Sequence, residues 1–221
     1  RSWESSRSDK TMNAQSSRVK AIMLSLKDDN QAKNLSRFFK TGPGQYGEGD
    51  LFLGIKVPQT RLVAKEEWRR CELSDVKELL RSKYHEIRLC ALLILVKMYK
   101  HNAKDEAAKK AIVDFYIENT EGINNWDLVD LSCYEILGDW CLTHDRDILY
   151  SLAREGKTIW EQRIGIVSCM ALLRKGEIDD CFAIADILLH HSHDLIHKAV
   201  GWLLREAGKR DTQALKDFLC A

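Results

Sequence analysis

The chain has 221 residues, 45% of them hydrophobic, and its 34 Lys and Arg nearly balance its 33 Asp and Glu, for a net charge of +1. This composition is typical of a packed globular protein and excludes a largely disordered one. No apolar run reaches the roughly 18 residues that a spanning helix needs, and the N-terminus lacks the shape of a signal peptide. We therefore expect a soluble protein with no membrane partner, located in the cytoplasm.

The N-terminal part predicts two short helices after a leader. Residues 1 to 15 are rich in Ser and in charge, and we interpret them as a flexible leader or a cloning remnant, followed by a single domain over 16–221. Val19, Ile22, Met23 and Leu26 have the spacing of an amphipathic helix. A second helix carries Leu35, Phe38 and Phe39 and ends at Gly42.

The stretch from Gly42 to Asp50 formally matches G-x-G-x-x-G. A dinucleotide site needs a strand before these glycines, and none is predicted, so we interpret the stretch as a flexible loop, with a phosphate cradle as the alternative. Pro58 then suits the first turn of a helix. Ser74 is predicted to cap the next helix, with Leu73 as a hydrophobic staple.

A repeat of helix pairs follows. Long apolar helices open near Arg88, Arg163 and Lys198, and Asp127 falls between the first two, so these four markers recur every 35 to 39 residues. The intervening segments 103–118, 145–154 and 177–190 supply the second helix of each pair. This period is close to that of HEAT and armadillo repeats. We therefore predict an all-α solenoid of antiparallel helix pairs, whose inner helices line a concave groove.

The residues Trp126 and Asp130 are four positions apart near the start of a predicted helix, so both project from one face. If that face looks into the groove, an indole lies beside a carboxylate. If it looks inward, Trp126 is core and Asp130 is a cap or an ion-pair partner. Trp202 and Arg205 repeat the arrangement, and the same two alternatives hold for Trp202.

The other motifs give weaker indications of a functional site. The seven cysteines form no C-x-x-C pair, and buried reduced thiols explain them better than disulfides or zinc. Crowding at a helix junction explains the only histidine cluster better than a metal site does. This cluster comprises His190, His191, His193 and His197. No serine or cysteine is arranged as a nucleophile with a base, and no cofactor or metal is expected.

Four segments together resemble the AlkD-type DNA alkylation repair family, which consists of HEAT-like-repeat alkylpurine DNA glycosylases. They are Phe52-Leu53-Gly54-Ile55, Trp126-Asp127-Leu128-Val129-Asp130, Trp160-Glu161-Gln162-Arg163 and Lys198-Ala199-Val200-Gly201-Trp202-Leu203-Leu204-Arg205-Glu206. The resemblance runs from about residue 18 to the end, with the motifs in the family's order. It favours the groove interpretation of both tryptophans.

The resemblance implies base excision from duplex DNA that carries N3- or N7-alkylated purines such as 3-methyladenine and 7-methylguanine. It implies that Asp130 is the catalytic carboxylate, that Trp126 and Trp202 pack against the damaged nucleotide, and that Arg163 and Arg205 hold phosphate. It also implies excision without a deep base pocket, unlike most glycosylases. We expect a monomer, associated with the nucleoid in a bacterium.

Elementary chemistry agrees with these roles. Alkylation gives the purine a positive charge, so cleavage releases a neutral base and needs no general acid, whereas ordinary glycoside hydrolysis usually needs two carboxylates. A single carboxylate, Asp130, could stabilise the sugar cation and orient water. Indole faces beside the sugar favour the same cation.

Three features of the chain depart from the family pattern. Some relatives have a tyrosine at the position of Phe38, and the loop 42–50 occurs in only part of the family. Relatives usually continue past the position of Cys220 with another helix, so we interpret the chain as a truncated form or a variant.

Two alternative functions are a non-catalytic DNA-binding paralogue and a HEAT-type protein scaffold. The simultaneous presence of Asp130, both tryptophans and both arginines disfavours the paralogue.

Overall fold

The computed structural model describes residues 2 to 221, with side chains from residue 14 onward, and all of its regular structure is helical. Leu51 and Tyr84 form an isolated bridge, but the described residues contain no strand. The predicted all-α class is thereby confirmed. The side chains of most of the predicted leader, 1–15, lie outside the described part, so the leader remains a prediction.

The chain divides into two compact units, residues 1–128 and 129–221, and each is described by itself. The first unit holds six helices and two short 3-10 turns, Trp68–Arg70 and Thr120–Gly122. The helices are α1 (Ser2–Ser25), α2 (Asp29–Phe38), α3 (Val57–Glu67), α4 (Leu73–Leu80), α5 (His85–His101) and α6 (Glu106–Glu118).

Helix α5 is the centre of the first unit. It is buried on all sides from His85 to Val96, and α1, α3, α4 and α6 pack around it. A helix that is apolar all round can only be an interior helix, and burial of such a surface is the main stabilising term of a small unit. The described side chains of α1 face this core as its spacing predicts, with Val19 and Met23 fully buried.

The start of α4 differs from the prediction. Glu72 is its N-cap residue and α4 begins at Leu73, so Ser74 lies inside the first turn. Asp75 Oδ2 accepts the Glu72 amide at 2.9 Å, and Asp75 Oδ1 accepts the Ser16 amide of α1 at 3.1 Å. The predicted Ser74 cap is wrong because the Asp75 carboxylate fills that role and also joins α4 to α1. Pro58 does lie in the first turn of α3, as predicted.

The second unit begins inside the short helix α7 (Trp126–Asp130) and continues through a π-helical turn, Tyr134–Gly138. Six helices follow: α8 (Asp147–Glu155), α9 (Ile159–Val167), α10 (Cys169–Arg174), α11 (Asp179–Leu188), α12 (Asp194–Arg210) and α13 (Thr212–Cys220). Helix α8 packs on α9, and α12 packs on α9, α10, α11 and α13. These pairs confirm the predicted succession of short helix pairs.

Two further findings concern the chain as a whole. Within residues 2–221, no helix is both long enough and apolar enough to cross a membrane. Six of the seven cysteines are buried and all are free thiols, whereas Cys220 is exposed.

Candidate functional site

Asp130 is held by a two-pronged ion pair with Arg163. Arg163 Nε lies 2.9 Å from Asp130 Oδ1, and Arg163 Nη2 lies 2.8 Å from Asp130 Oδ2. The two parallel, charge-assisted bonds fix both the position and the plane of the carboxylate. The Asp130 side chain keeps 15% of its surface exposed, whereas Arg163 keeps only 7%, so the accessible member of the pair is the carboxylate.

Arg163 also connects α9 to α12. Its remaining terminal nitrogen, Nη1, donates to the carbonyl oxygen of Leu195 in the first turn of α12, at 2.6 Å. The position of Arg163 on α9 is set locally by Thr158, whose hydroxyl accepts the Glu161 amide at 3.1 Å and caps the helix. With three of its nitrogens bonded inside the protein, the buried Arg163 is placed to orient Asp130 rather than to reach outward to phosphate. A phosphate contact by Arg163 remains only a prediction.

The backbone just after Asp130 leaves the α-helical path. The π-helical turn Tyr134–Gly138 follows two residues of irregular turn, and a Cβ on Gly138 would lie 2.4 Å from the carbonyl oxygen of Ser168. Such close backbone packing needs glycine. Single π-helical turns are frequently found beside functional residues, because they re-aim the side chains around them.

Helix α12 carries Trp202 and Arg205. Trp202 is half-buried, and Arg205 is exposed. Both lie within the same continuous helix whose first turn accepts the Arg163 bond, so Asp130, Arg163 and the α12 backbone form one hydrogen-bonded assembly. The structure therefore brings Asp130 and Arg163 into contact and places Trp202 and Arg205 on the helix to which Arg163 is bonded.

Trp126 belongs to the first unit, where it forms part of an aromatic cluster. Its ring stacks on Phe39 with centroids 5.3 Å apart, and Phe38 approaches its edge at 6.0 Å. Trp126 is half-buried and Phe38 is 62% exposed. An exposed phenyl ring beside a half-buried indole is an apolar surface of the kind on which sugars and bases stack. The apolar spacing of α2 did not predict this surface, although the tyrosine of some relatives at the position of Phe38 had marked that position.

Behind these rings lies a buried charge cluster that the sequence did not predict. His85 Nε2 lies 2.7 Å from Asp127 Oδ2, and His85 Nδ1 lies 2.9 Å from Asp50 Oδ2. Both ring nitrogens thus face carboxylates, which only the protonated imidazolium can satisfy at once. Arg88 Nη2 bonds the other Asp50 oxygen at 2.5 Å, so two cations and two carboxylates balance.

The contacts within the cluster change the pKa values of its members. Burial lowers the pKa of His85, but the hydrogen bonds that its ring donates to Asp127 and Asp50 outweigh this effect and raise that pKa to about 9. Burial likewise opposes ionisation of Asp50, yet His85 and Arg88 hold the pKa of its carboxyl below the usual value. The faces of the His85 ring are covered by Phe39 and Phe52, at 4.8 and 4.7 Å between centroids.

The segment Phe52-Leu53-Gly54-Ile55 is fixed by a single carboxylate. Glu86 Oε2 accepts the amides of Leu53 and Gly54 at 2.6 and 2.9 Å and, more weakly, that of Ile55 at 3.4 Å. Burial raises the pKa of Glu86. Gly54 has φ of +87°, and a Cβ there would lie 2.0 Å from the carbonyl oxygen of Asp28. The segment thus anchors α2, and with it the Phe38 and Phe39 side chains, to the first turn of α5.

The loop 42–50 has no regular structure, as predicted, and no strand precedes it in the described chain. Its last residue, Asp50, is nevertheless a buried member of the His85 cluster. Among the described side chains, no three His, Cys, Asp or Glu residues lie close enough together to hold a metal ion. Among the histidines near α12, His191 Nε2 lies 2.9 Å from Gln162 Oε1, an internal contact of the second unit.

Comparison with solved structures identifies the fold. The chain is similar to a structure titled "Predicted DNA alkylation repair enzyme from Enterococcus faecalis", with a TM-score of 0.65 and 17% identity over 87% of this chain and 88% of that one. At this identity the likeness establishes a shared all-helical fold. The comparison with curated proteins found no match.

Comparison with protein families then identifies the family. The pattern described as DNA alkylation repair enzyme matches residues 19–221, almost the whole chain. The chain belongs to the DNA alkylation repair enzyme family, and the family predicted from its motifs is confirmed.

Proposed function

We propose that this protein is a DNA glycosylase that removes cationic N3- and N7-alkylated purines from duplex DNA, with Asp130 as its catalytic carboxylate. The observation that carries the proposal is the Asp130 carboxylate, which is oriented by two bonds from Arg163 while part of its surface stays open to solvent. Family membership supports a repair role in general, and the geometry supports this reaction in particular.

The reaction needs one carboxylate. The N-glycosidic bond breaks and its electron pair passes to the purine ring nitrogen, whose positive charge it neutralises, so the leaving base needs no proton. Positive charge then develops on the deoxyribose, where a fixed carboxylate stabilises it by electrostatics. A water molecule oriented by Asp130 adds to the sugar carbon and loses a proton to the carboxylate or to solvent, which leaves an abasic site.

The remaining predicted residues have supporting roles in this proposal. Trp202, half-buried in the second unit, would cover the sugar of the damaged nucleotide, where an indole face favours a developing cation. Trp126, half-buried in the first unit, would contact the DNA substrate, as the resemblance implies. Arg205, exposed on α12, would contact phosphate. Arg163 would act through Asp130 as a positioning residue, because its own nitrogens are bonded to Asp130 and Leu195.

The test is base release from methylated duplex DNA. The parent chain should release 7-methylguanine and 3-methyladenine and leave abasic sites, with no added metal or cofactor. Asp130→Asn should lower the single-turnover rate by roughly 100-fold or more, while duplex affinity stays equal or rises because one negative charge is lost. Asp147→Asn, at the exposed start of α8, is the matched control and should behave like the parent.

The same assay separates the alternative functions. Duplex binding without base release would indicate a non-catalytic DNA-binding relative. The absence of both would indicate a scaffold for another protein. Because Asp130→Asn leaves the buried Arg163 without its anionic partner, the folded fraction of the variant must be checked by circular dichroism at the assay temperature.

A further inference from the structure

Gly201 has no evident reason to be a glycine within its own chain. It lies in the middle of α12, which runs from Asp194 to Arg210, and it is exposed. Glycine inside a helix is destabilising relative to alanine, because the unfolded chain loses more conformational freedom on folding. A Cβ added at Gly201 would meet no atom of the described residues within 4 Å. No contact with the described part of the chain therefore offsets the cost of this glycine.

The other eleven glycines, all within the described residues, differ from Gly201. Each has either a positive φ, which favours glycine, or a position at which a Cβ would lie closer than 3.0 Å to another atom. Gly208, also on α12, is an example: its Cβ would lie 2.4 Å from Leu215 Cδ2. Gly201 has neither property, which points to a partner outside the chain.

The chemistry around Gly201 is that of a polyanion contact. Lys198 precedes it by three residues and Arg205 follows it by four, so both lie on the same face of α12, and both are exposed. Lys198 pairs with Asp194 at 3.0 Å, but both side chains are more than two-thirds exposed, and such surface pairs are weak enough to be exchanged for a phosphate. Trp202 is the next residue along the helix.

We infer that Gly201 is a DNA contact residue, at which the sugar–phosphate backbone of one strand lies directly against α12 between Lys198 and Arg205. The absence of a side chain lets a bulky ligand approach the helix backbone closely. The two flanking cations would then reach neighbouring phosphates of the same strand. This inference rests only on the DNA-binding part of the proposed function and not on its chemical step.

The inference predicts changes of opposite sign for folding and for binding. Gly201→Ala in the full chain should raise the melting temperature by about 2–4 °C, since alanine is the better helix former. It should also weaken binding to an undamaged duplex by roughly three- to tenfold, measured by fluorescence anisotropy. Gly201→Leu should weaken binding further because its side chain is larger. Ala183→Leu, which places an equal side chain on the exposed face of α11, should bind like the parent.

Three results would overturn the inference. Unchanged duplex affinity for both Gly201 variants would show that nothing approaches this face closely. A lowered melting temperature for Gly201→Ala would show that the glycine has a role inside the fold. A change in oligomeric state on Gly201→Leu, seen by sedimentation, would also overturn it, because it would assign the face to a protein contact.

Its failure can be told apart from failure of the proposed function. If the parent binds duplex DNA and the Gly201 variants bind less well, but no base is released, the glycosylase proposal fails and the contact stands. If the parent releases base and the variants match it in affinity, the contact fails and the glycosylase stands. If the parent does not bind duplex DNA, both fail.

Discussion

His85 and Asp127 are joined inside the first unit by a 2.7 Å contact between an imidazole nitrogen and a carboxylate oxygen, and the opposite ring nitrogen is satisfied by Asp50. The contact fixes the first turn of α7, next to Trp126, to the first turn of α5. Phe39, one of the two rings that cover His85, also stacks on Trp126, so the protonation state of one buried histidine supports the local structure around that tryptophan.

This contact predicts how stability depends on pH. The pKa of His85 is raised from 6.5 to about 9 in the folded protein. Its contribution is therefore fully present below about pH 6.5 and is lost as the pH rises to about 9, and it is on the order of 3 kcal/mol. Urea unfolding of the parent at intervals between pH 6 and 9.5 should show this decline.

Two variants isolate the histidine responsible. His85→Gln should be less stable than the parent at pH 6 and should lose most of the slope. His190→Gln, at an exposed position after α11, should keep the parent slope. The two variants are compared between pH 6 and about pH 8, where thiols are protonated in both the folded and the unfolded chain. Above that range the unfolded thiols ionise first, because burial raises the pKa of the folded ones, to about 12 for Cys71, and they add their own decline in stability. A parent with flat stability from pH 6 to 9 would contradict the imidazolium assignment.

Arg163 is expected to affect catalysis more than binding. Arg163→Lys keeps the charge but cannot make two parallel bonds to Asp130, so it should lower the single-turnover rate by roughly tenfold or more. Duplex affinity and its salt dependence should stay near the parent values. If Arg163 instead contacted phosphate, a neutral replacement such as Arg163→Gln would lower the salt slope by about 1. Arg174→Ala, which removes an exposed guanidinium from α10, is the control for the rate.

Arg205 is expected to show the reverse pattern. Arg205→Ala should weaken binding to damaged and undamaged duplex alike, by a few-fold, and should reduce the slope of log affinity against log salt by about 1. The measurement is a salt titration of anisotropy from 50 to 200 mM. Arg154→Ala removes an equal exposed charge from α8, where the guanidinium lies over the Tyr150 ring, and should leave the slope unchanged. Equal slopes for parent and Arg205→Ala would remove Arg205 from the interface.

Gly54 and Gly44 form a matched pair for testing the anchor of α2. Both have a positive φ, +87° and +72°, but only Gly54 has a neighbour, the Asp28 carbonyl oxygen, where a Cβ would lie. Gly44→Ala should cost about 1–2 kcal/mol from backbone strain alone. Gly54→Ala should cost at least about 3 kcal/mol, because the carbonyl must also move. Thermal unfolding gives both values, and equal costs would show that α2 adjusts freely.

The helices were predictable where their signals are local. Apolar spacing gives α1, α5, α9 and α12, and the repeat period correctly placed their partners along the chain. Ser74 shows the limit of such rules, because the Asp75 carboxylate binds the amides of Glu72 and Ser16, and the second of these is a tertiary contact that local spacing does not show. The π-helical turn after Asp130 was not predictable, since it depends on how closely Gly138 approaches Ser168.

The candidate site was predictable in its residues but not in its contacts. Asp130 and Arg163 are 33 residues apart, and the motifs name both without showing that they bind each other. The His85 cluster was missed altogether, because Asp50 and Asp127 lie 35 and 42 residues from the histidine in opposite directions and no local pattern joins them. The available local signal was a histidine at the first position of α5, ahead of its apolar run.

Burial of the cysteines affects how their sulfur atoms react with alkylating agents. Thiolates are the form in which sulfur attacks electrophiles, and burial raises the pKa of six thiols, Cys71, Cys90, Cys133, Cys141, Cys169 and Cys181. A methylating compound that modifies guanine would therefore find these sulfurs both shielded and protonated, and would meet Cys220 first. Methylation of cysteine sulfur in this protein would therefore fall mainly on Cys220 rather than on the core.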